Sequence, residues 1–220
     1  MQWAVLGIFI GFLVIAYIVM QGTRAAMAWR KAAAAGDVKV IRDIVEDSLN
    51  GWRSAKRPKL VPVEVWRGVQ SLQLVDVGPE YVRLSCQAEG EYKLANGAWI
   101  EVRNPLQEGM AIVARAADLV FYDLPHFRPR FFQIDVYSTT RAETGVTRRD
   151  CILSLLADRE QARAIDWEEW TPDQIADALG ATYRLSETGR PMPIEPLTAP
   201  AELVPPAEAP APPKAAEAHR

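Results

Sequence analysis

The sequence predicts an α+β protein: an N-terminal transmembrane helix, then a two-layer domain with helices packed on one face of an antiparallel sheet of about five strands, then a disordered tail. Three observations carry this prediction. An apolar run without a single charge extends from Trp3 to Met20. Between residues 37 and 186, capped amphipathic stretches alternate with Val- and Leu-rich extended stretches bounded by turn residues. More than half of the 16 prolines fall between Pro191 and Pro213, interleaved with alanine and glutamate. The expected organisation is a membrane anchor over 1–22, a juxtamembrane helix or linker over 23–36, a domain over 37–186 and a disordered Pro/Ala-rich tail over 187–220.

The anchor is argued from length and flanks. The run would span about 27 Å as a helix, close to the ~30 Å hydrocarbon core of a bilayer. A cleaved signal peptide is the rival, since Ala26-Met27-Ala28 has the small-x-small form of a cleavage site. Against it, Met1-Gln2 carries no basic residue, the run exceeds the usual h-region, and Arg24 lies between run and site. Basic residues lie only after the run, at Arg24, Arg30, Lys31, Lys39 and Arg42, which places the N-terminus outside and the body in the cytoplasm. Trp3 and Trp29 read as the two aromatic belts, with Arg24, Arg30 and Lys31 at the inner interface. The expected partner of residues 3–20 is thus the lipid bilayer of the cell membrane. Gly7 and Gly11 form a G-x-x-x-G step through which two copies of the helix could pair as a homodimer.

Asp37 is the expected N-cap of the first domain helix, whose apolar stripe is Val38, Ile41, Val45, Leu49 and Trp52. Arg53, Lys56, Arg57 and Lys59 close it, cations suited to a helix C-terminus or to anionic headgroups. Val63 to Val77 reads as extended and is broken by Gly78-Pro79; Tyr81 to Leu94 reads as the second extended stretch. Asn96-Gly97 predicts a hairpin turn into Trp99–Val102. Asn104, Pro105 and Gln107 then predict a capped helix, with Leu106, Met110, Val113, Ala117, Val120 and Phe121 inward and Glu108 and Arg115 outward. Phe131–Thr140 and Asp150–Leu156 are the next strand pair; Gln133, Asp135 and Tyr137 mark the wetter face of the first. Short helices are expected near Asp158 and after Thr171-Pro172. This order of elements, α-βββ-α-ββ-α, resembles the fold of type III secretion chaperones over about residues 37 to 166, on order alone.

Composition narrows the chemistry. Hydrophobic and charged fractions of 49% and 24% are those of a globular protein, and a net charge of -3 excludes a dedicated nucleic-acid binder. Two cysteines, Cys86 and Cys151, exclude a disulfide scaffold and a four-cysteine zinc site, and both fall in apolar strand patterns. No glycine loop for phosphate is present, and no cofactor or metal is implied. Glu108, Asp123 and Asp135 lack the Glu-x-Lys that a metal-dependent nuclease would add on the next strand. His126, Arg128 and Arg130, set between Pro125 and Pro129, are the candidate anion-binding residues. Trp167 and Trp170, around Glu168-Glu169, are the candidate partner-binding residues. No catalytic residue is named. The expected function is a single-pass membrane-anchored accessory or assembly protein whose cytoplasmic domain binds protein partners. The alternative is a membrane-anchored enzyme or small anionic-ligand sensor using the loop from Asp123 to Arg130.

Overall fold

A computed structural model describes residues 2–95, 98–141, 147–200 and 202–203; the side chains of 2–9, 91–95, 98–101, 103, 140, 141 and 147 are outside that description. Helix α1 runs unbroken over Gln2–Ala34, so anchor and juxtamembrane segment are one helix. It is long and apolar enough to cross a membrane, and its apolar side chains from Ile10 to Met20 are exposed. The side chains of Trp3 and Gly7 lie outside the described residues; nothing approaches Gly11 within 4 Å of where a Cβ would stand.

Gly36 turns the chain at φ +79, a left-handed conformation suited to glycine, and Asp37 caps the next helix by accepting from the amides of Lys39 and Val40. Helix α2 (Val38–Ser54) buries Ile41, Val45 and Leu49 of the predicted stripe, adds Ile44, and leaves Val38 and Trp52 partly buried at the two ends. Helix α3 (Val63–Gln70) is a correction, because these residues read as strand. Their β-branched content disfavours helix only weakly, and burying Val65, Trp66 and Val69 on one face overrides it. Strand β1 (Gln73–Gly78) is all that remains of the expected first strand.

Strands β2 (Tyr81–Gln87), β5 (Phe131–Arg141), β6 (Thr147–Asp158), β7 (Thr182–Leu185) and β8 (Pro191–Met192) join β1 in a six-stranded sheet of order β1-β2-β5-β6-β7-β8. All pairs are antiparallel except β2 with β5, which run parallel from Tyr81↔Phe131 to Gln87↔Tyr137. The hairpin β3 (Glu91–Ala95) and β4 (Ala98–Arg103) forms its own two-stranded sheet, with turn residues Asn96 and Gly97 outside the described residues. Three consecutive strands therefore do not share one sheet. The order departs from the one on which the resemblance to type III secretion chaperones rests.

Helix α4 (Pro105–Asp118) starts with the predicted capping box of Asn104 and Gln107, then widens into a π-helical turn over Leu119–Asp123. Helices α5 (Arg159–Arg163) and α6 (Pro172–Ala178) begin at the expected caps. The core lies between the helices and the sheet face carrying Val82, Leu84, Cys86, Phe132, Ile134, Val136, Leu153 and Leu155. Gly109 lets α4 approach that face, where an added Cβ would stand 3.1 Å from Val136.

The chain stays ordered beyond the expected domain end at 186. After β8, the amide of Ile194 donates to the Cys151 carbonyl and that of Leu197 to Ser154 Oγ, while Gln133 Nε2 donates to the Leu197 carbonyl. Residues up to Leu197 therefore lie across the sheet rather than in a free tail. Proline holds them extended without costing ladder donors, which is why a composition that reads as disordered can dock.

Candidate functional site

Helix α4 is packed on three sides. Its inner face meets the sheet, one flank meets α3, where a Cβ on Gly68 would stand 2.1 Å from Ile112 Cδ1, and the other flank meets α6. Its remaining face is the floor of an open groove of about 870 Å³. Met110, Ala111 and Ala114 form that floor; Leu60, Val61, Pro62 and Val65 form one wall, and Trp167, Trp170, Ile175, Tyr183 and Leu185 the other. Polar groups in the lining come from Asn104, Gln107, Arg115, Asp118 and Asp173, with the Tyr183 hydroxyl and the indole N–H groups of Trp167 and Trp170 beside them. Leu60 is 98% exposed at the tip of the loop between α2 and α3, a posture stabilised by Arg57 Nη1 donating to the Val61 carbonyl at 2.5 Å. Trp170 is 40% exposed.

The position of the groove follows from the register of α2. This helix starts beside Pro79, which packs on Gly36, and ends beside Leu72, whose carbonyl accepts from Arg53 Nη2 at 2.6 Å. Helix α2 thus runs antiparallel to β1, and its 17 residues carry the chain about 25 Å from the anchor junction. Leu60 and the N-terminus of α4 lie at that remote end, and hairpin β3–β4 leads directly into α4.

The two tryptophans differ. Trp167 is a packing residue: its Nε1 donates to the Ala162 carbonyl, and its ring meets Tyr122 edge-on at 5.9 Å. Trp170 has its indole on the groove. Arg115, expected to point outward, is half-buried on Asp118 at the groove's edge. Glu108, also expected outward, is buried and accepts from the Gly90 amide at 2.9 Å. Burial raises its pKa above the ordinary carboxylate value, with the Gly90 and Glu89 amides opposing. A raised folded-state value favours the protonated form, so this group's contribution is most favourable below its unfolded pKa and is lost as pH rises through the folded one. Glu108→Gln should therefore gain stability relative to wild type as pH rises from 4 to 7, read as the difference in melting temperature. A constant difference across that range would contradict the burial.

His126 and Arg128 line one cavity, and Arg130 is not among its lining residues. Arg128 Nη1 donates to the carbonyls of Tyr122 and Leu124, closing the π-helical turn. Arg130 lies over the Phe131 ring and 3.5 Å from Asp158. His126, at φ 63, accepts from Arg30 Nε at 3.2 Å. Arg30 thus ties α1 to the domain, beside a cavity of about 440 Å³ lined by Ala33–Gly36, Pro79, Glu80 and His126–Arg128. Arg24 and Lys31 are exposed along α1, and Trp29 is 36% exposed.

The outer face of the sheet is where the sequence reading misses most. Gln133 and Asp135 were expected on the wetter face of their strand and are 0% and 1% exposed, and Ser154 beside them is 0% exposed. Asp135 holds Arg83 at 2.7 Å and accepts from Ser154 Oγ at 2.6 Å; Tyr81 donates to Gln133 Oε1 at 2.6 Å. Alternation places these groups on one face but cannot show that residues 191–197 cover it. Cys151 shares this face, with burial pushing its thiol up to about 11, and burial raises Cys86 further; neither is an activated nucleophile. Among the described residues no group of three or more His, Cys, Asp or Glu is arranged to hold a metal ion.

Comparison with known proteins returns no matching family model, no matching curated protein and no matching solved structure.

Proposed function

We propose that the chain is a single-pass membrane protein, anchored in the cell membrane with its N-terminus outside. Its cytoplasmic domain acts as an accessory or assembly module that binds an apolar segment of a partner protein in the groove over α4. One observation carries the binding reading: a groove of about 870 Å³ walled by aliphatic and indole side chains, with Leu60 and Trp170 held exposed on opposite sides. Soluble surfaces seldom keep such residues together in the open, and tryptophan is enriched where binding energy concentrates. The remoteness of the groove from the anchor junction suits a module that reaches a partner while tethered. The basic residues that follow the charge-free run, from Arg24 onward, support the orientation.

Two measurements test these parts separately. A reporter fused after Arg220 should be active in the cytoplasm, and activity on the outer side would reverse the topology. Leu60→Asp combined with Trp170→Ala should remove the partner recovered by chemical crosslinking from native membranes, with the melting transition unchanged. Undiminished recovery would place the contact elsewhere.

A further inference from the structure

We propose that the outer face of the sheet is a binding site for extended, proline-bearing peptide segments, filled in cis by Pro193–Leu197 and able to take a segment of the same kind from another chain. This site lies across the sheet from the groove and does not depend on it.

The receptor side is built from polar groups withdrawn from water. Gln133 and Ser154 are fully buried, and both spend a hydrogen bond on the main chain of one docked residue: Gln133 Nε2 on the Leu197 carbonyl at 2.7 Å, Ser154 Oγ on its amide at 3.0 Å. Asp135 orients both, accepting from Ser154 at 2.6 Å and from Gln133 at 3.4 Å, and is itself held by Arg83. A pair of side chains aimed at one residue's C=O and N–H reads backbone rather than sequence. Any extended segment with a free amide at that position satisfies it.

The docked segment specifies the rest of the ligand class. Beyond β8, whose Pro191 and Met192 pair with β7, the steps Pro193-Ile194 and Pro196-Leu197 recur at three residues, the period of a polyproline II helix; Ile194, Pro196 and Leu197 are half-buried, whereas Pro193 and Glu195 are exposed. The two amides that donate to the domain, those of Ile194 and Leu197, each follow a proline directly. Proline thus fixes the extended shape at positions whose missing N–H is not needed, and an aliphatic residue presents the donor. The ligand is a polyproline II segment with an aliphatic residue in the step Pro-aliphatic repeated at three residues. Because the resident copy is tethered, its effective concentration is on the order of millimolar, and a free segment competes only when the strap is released.

The test uses the full chain in detergent and a fluorescent peptide of residues 190–200 as probe. In a chain carrying Ile194→Asp and Leu197→Asp, which releases the strap, the probe should bind saturably and at least tenfold more tightly than to wild type. Adding Ser154→Ala and Gln133→Ala should remove that binding. No binding to the released variant with its fold intact by circular dichroism, equal binding to wild type, or binding that survives Ser154→Ala with Gln133→Ala would each overturn the proposal. Should the released variant lose its fold, hydrogen exchange on wild type decides. Unlabelled peptide well above the strap's effective concentration should lower protection at the Leu197 amide and leave the Ile134 amide unchanged, and unaltered protection at Leu197 at that concentration refutes exchangeable docking.

Discussion

Replacing Val113 with Asp is expected to abolish the folded domain. Val113 is fully buried on the face of α4 that meets the sheet, among Ile112, Ala116, Ala117 and Val136. A carboxylate in that apolar cluster is a buried charge, and an unpaired buried charge costs at least several kcal/mol even after relaxation. A domain of this size has a total stability of about 5–15 kcal/mol, so one such substitution consumes most of it. The expected result is insoluble protein or loss of the cooperative melting transition. Arg115→Ala is the matched control on the same helix: its partner Asp118 is also partly exposed, and the cost should stay below about 1 kcal/mol. A Val113→Asp protein that melts like wild type would mean that the two-layer packing described here is wrong.

The second large effect is expected at Asp135. Its carboxylate is the hub of the outer face, shared by Arg83, Ser154 and Gln133. Asp135→Ala leaves two buried polar groups short of a partner and a guanidinium without its counter-ion. Breaking a buried pair costs about 3–5 kcal/mol, and because Arg83 retains some solvent the lower end applies, about 3 kcal/mol. Asp135→Asn should recover part of the loss, since an amide oxygen can still accept from Ser154. Chemical denaturation of the three proteins reads the series directly. If the alanine variant is as stable as the asparagine variant, the carboxylate is not the hub.

Much of the layout was legible because local signals coincide with tertiary ones. Asp37, Asn104 with Gln107, and Thr171 with Gln174 are caps whose side chains act within three residues, and the helices begin where these residues predict. The α2 stripe and the inward face of α4 follow from periodicity for the same reason. The misses are non-local. Val63–Gln70 is helical because Pro62 leads into a face of Val65, Trp66 and Val69 that finds a core, which its β-branched residues cannot announce. The parallel pairing of β2 with β5 joins residues about 50 positions apart, with no turn to signal it. Glu108 is buried because a loop amide at Gly90 returns to meet it. The docked segment escaped for a compositional reason: proline and glutamate in series read as disorder, although a polyproline II segment needs only a few well-placed donors to be held. Of the residues expected to act together, His126 and Arg128 line one cavity while Arg130 lies apart on Phe131 and Asp158, and Trp167 and Trp170 both line the groove, Trp167 with its indole N–H bonded to the Ala162 carbonyl.

The central claim is that the groove over α4 is the surface that meets a partner at the membrane. Site-specific photo-crosslinking from native membranes tests it most directly, with the photoreactive residue placed in turn at Leu60, Trp170 and, as a control on the sheet edge, Val75, which is 46% exposed. The account predicts an adduct of one discrete mass from Leu60 and Trp170 and none from Val75. Absence of adducts at both groove positions, or an adduct of the same mass and yield from Val75, would contradict it.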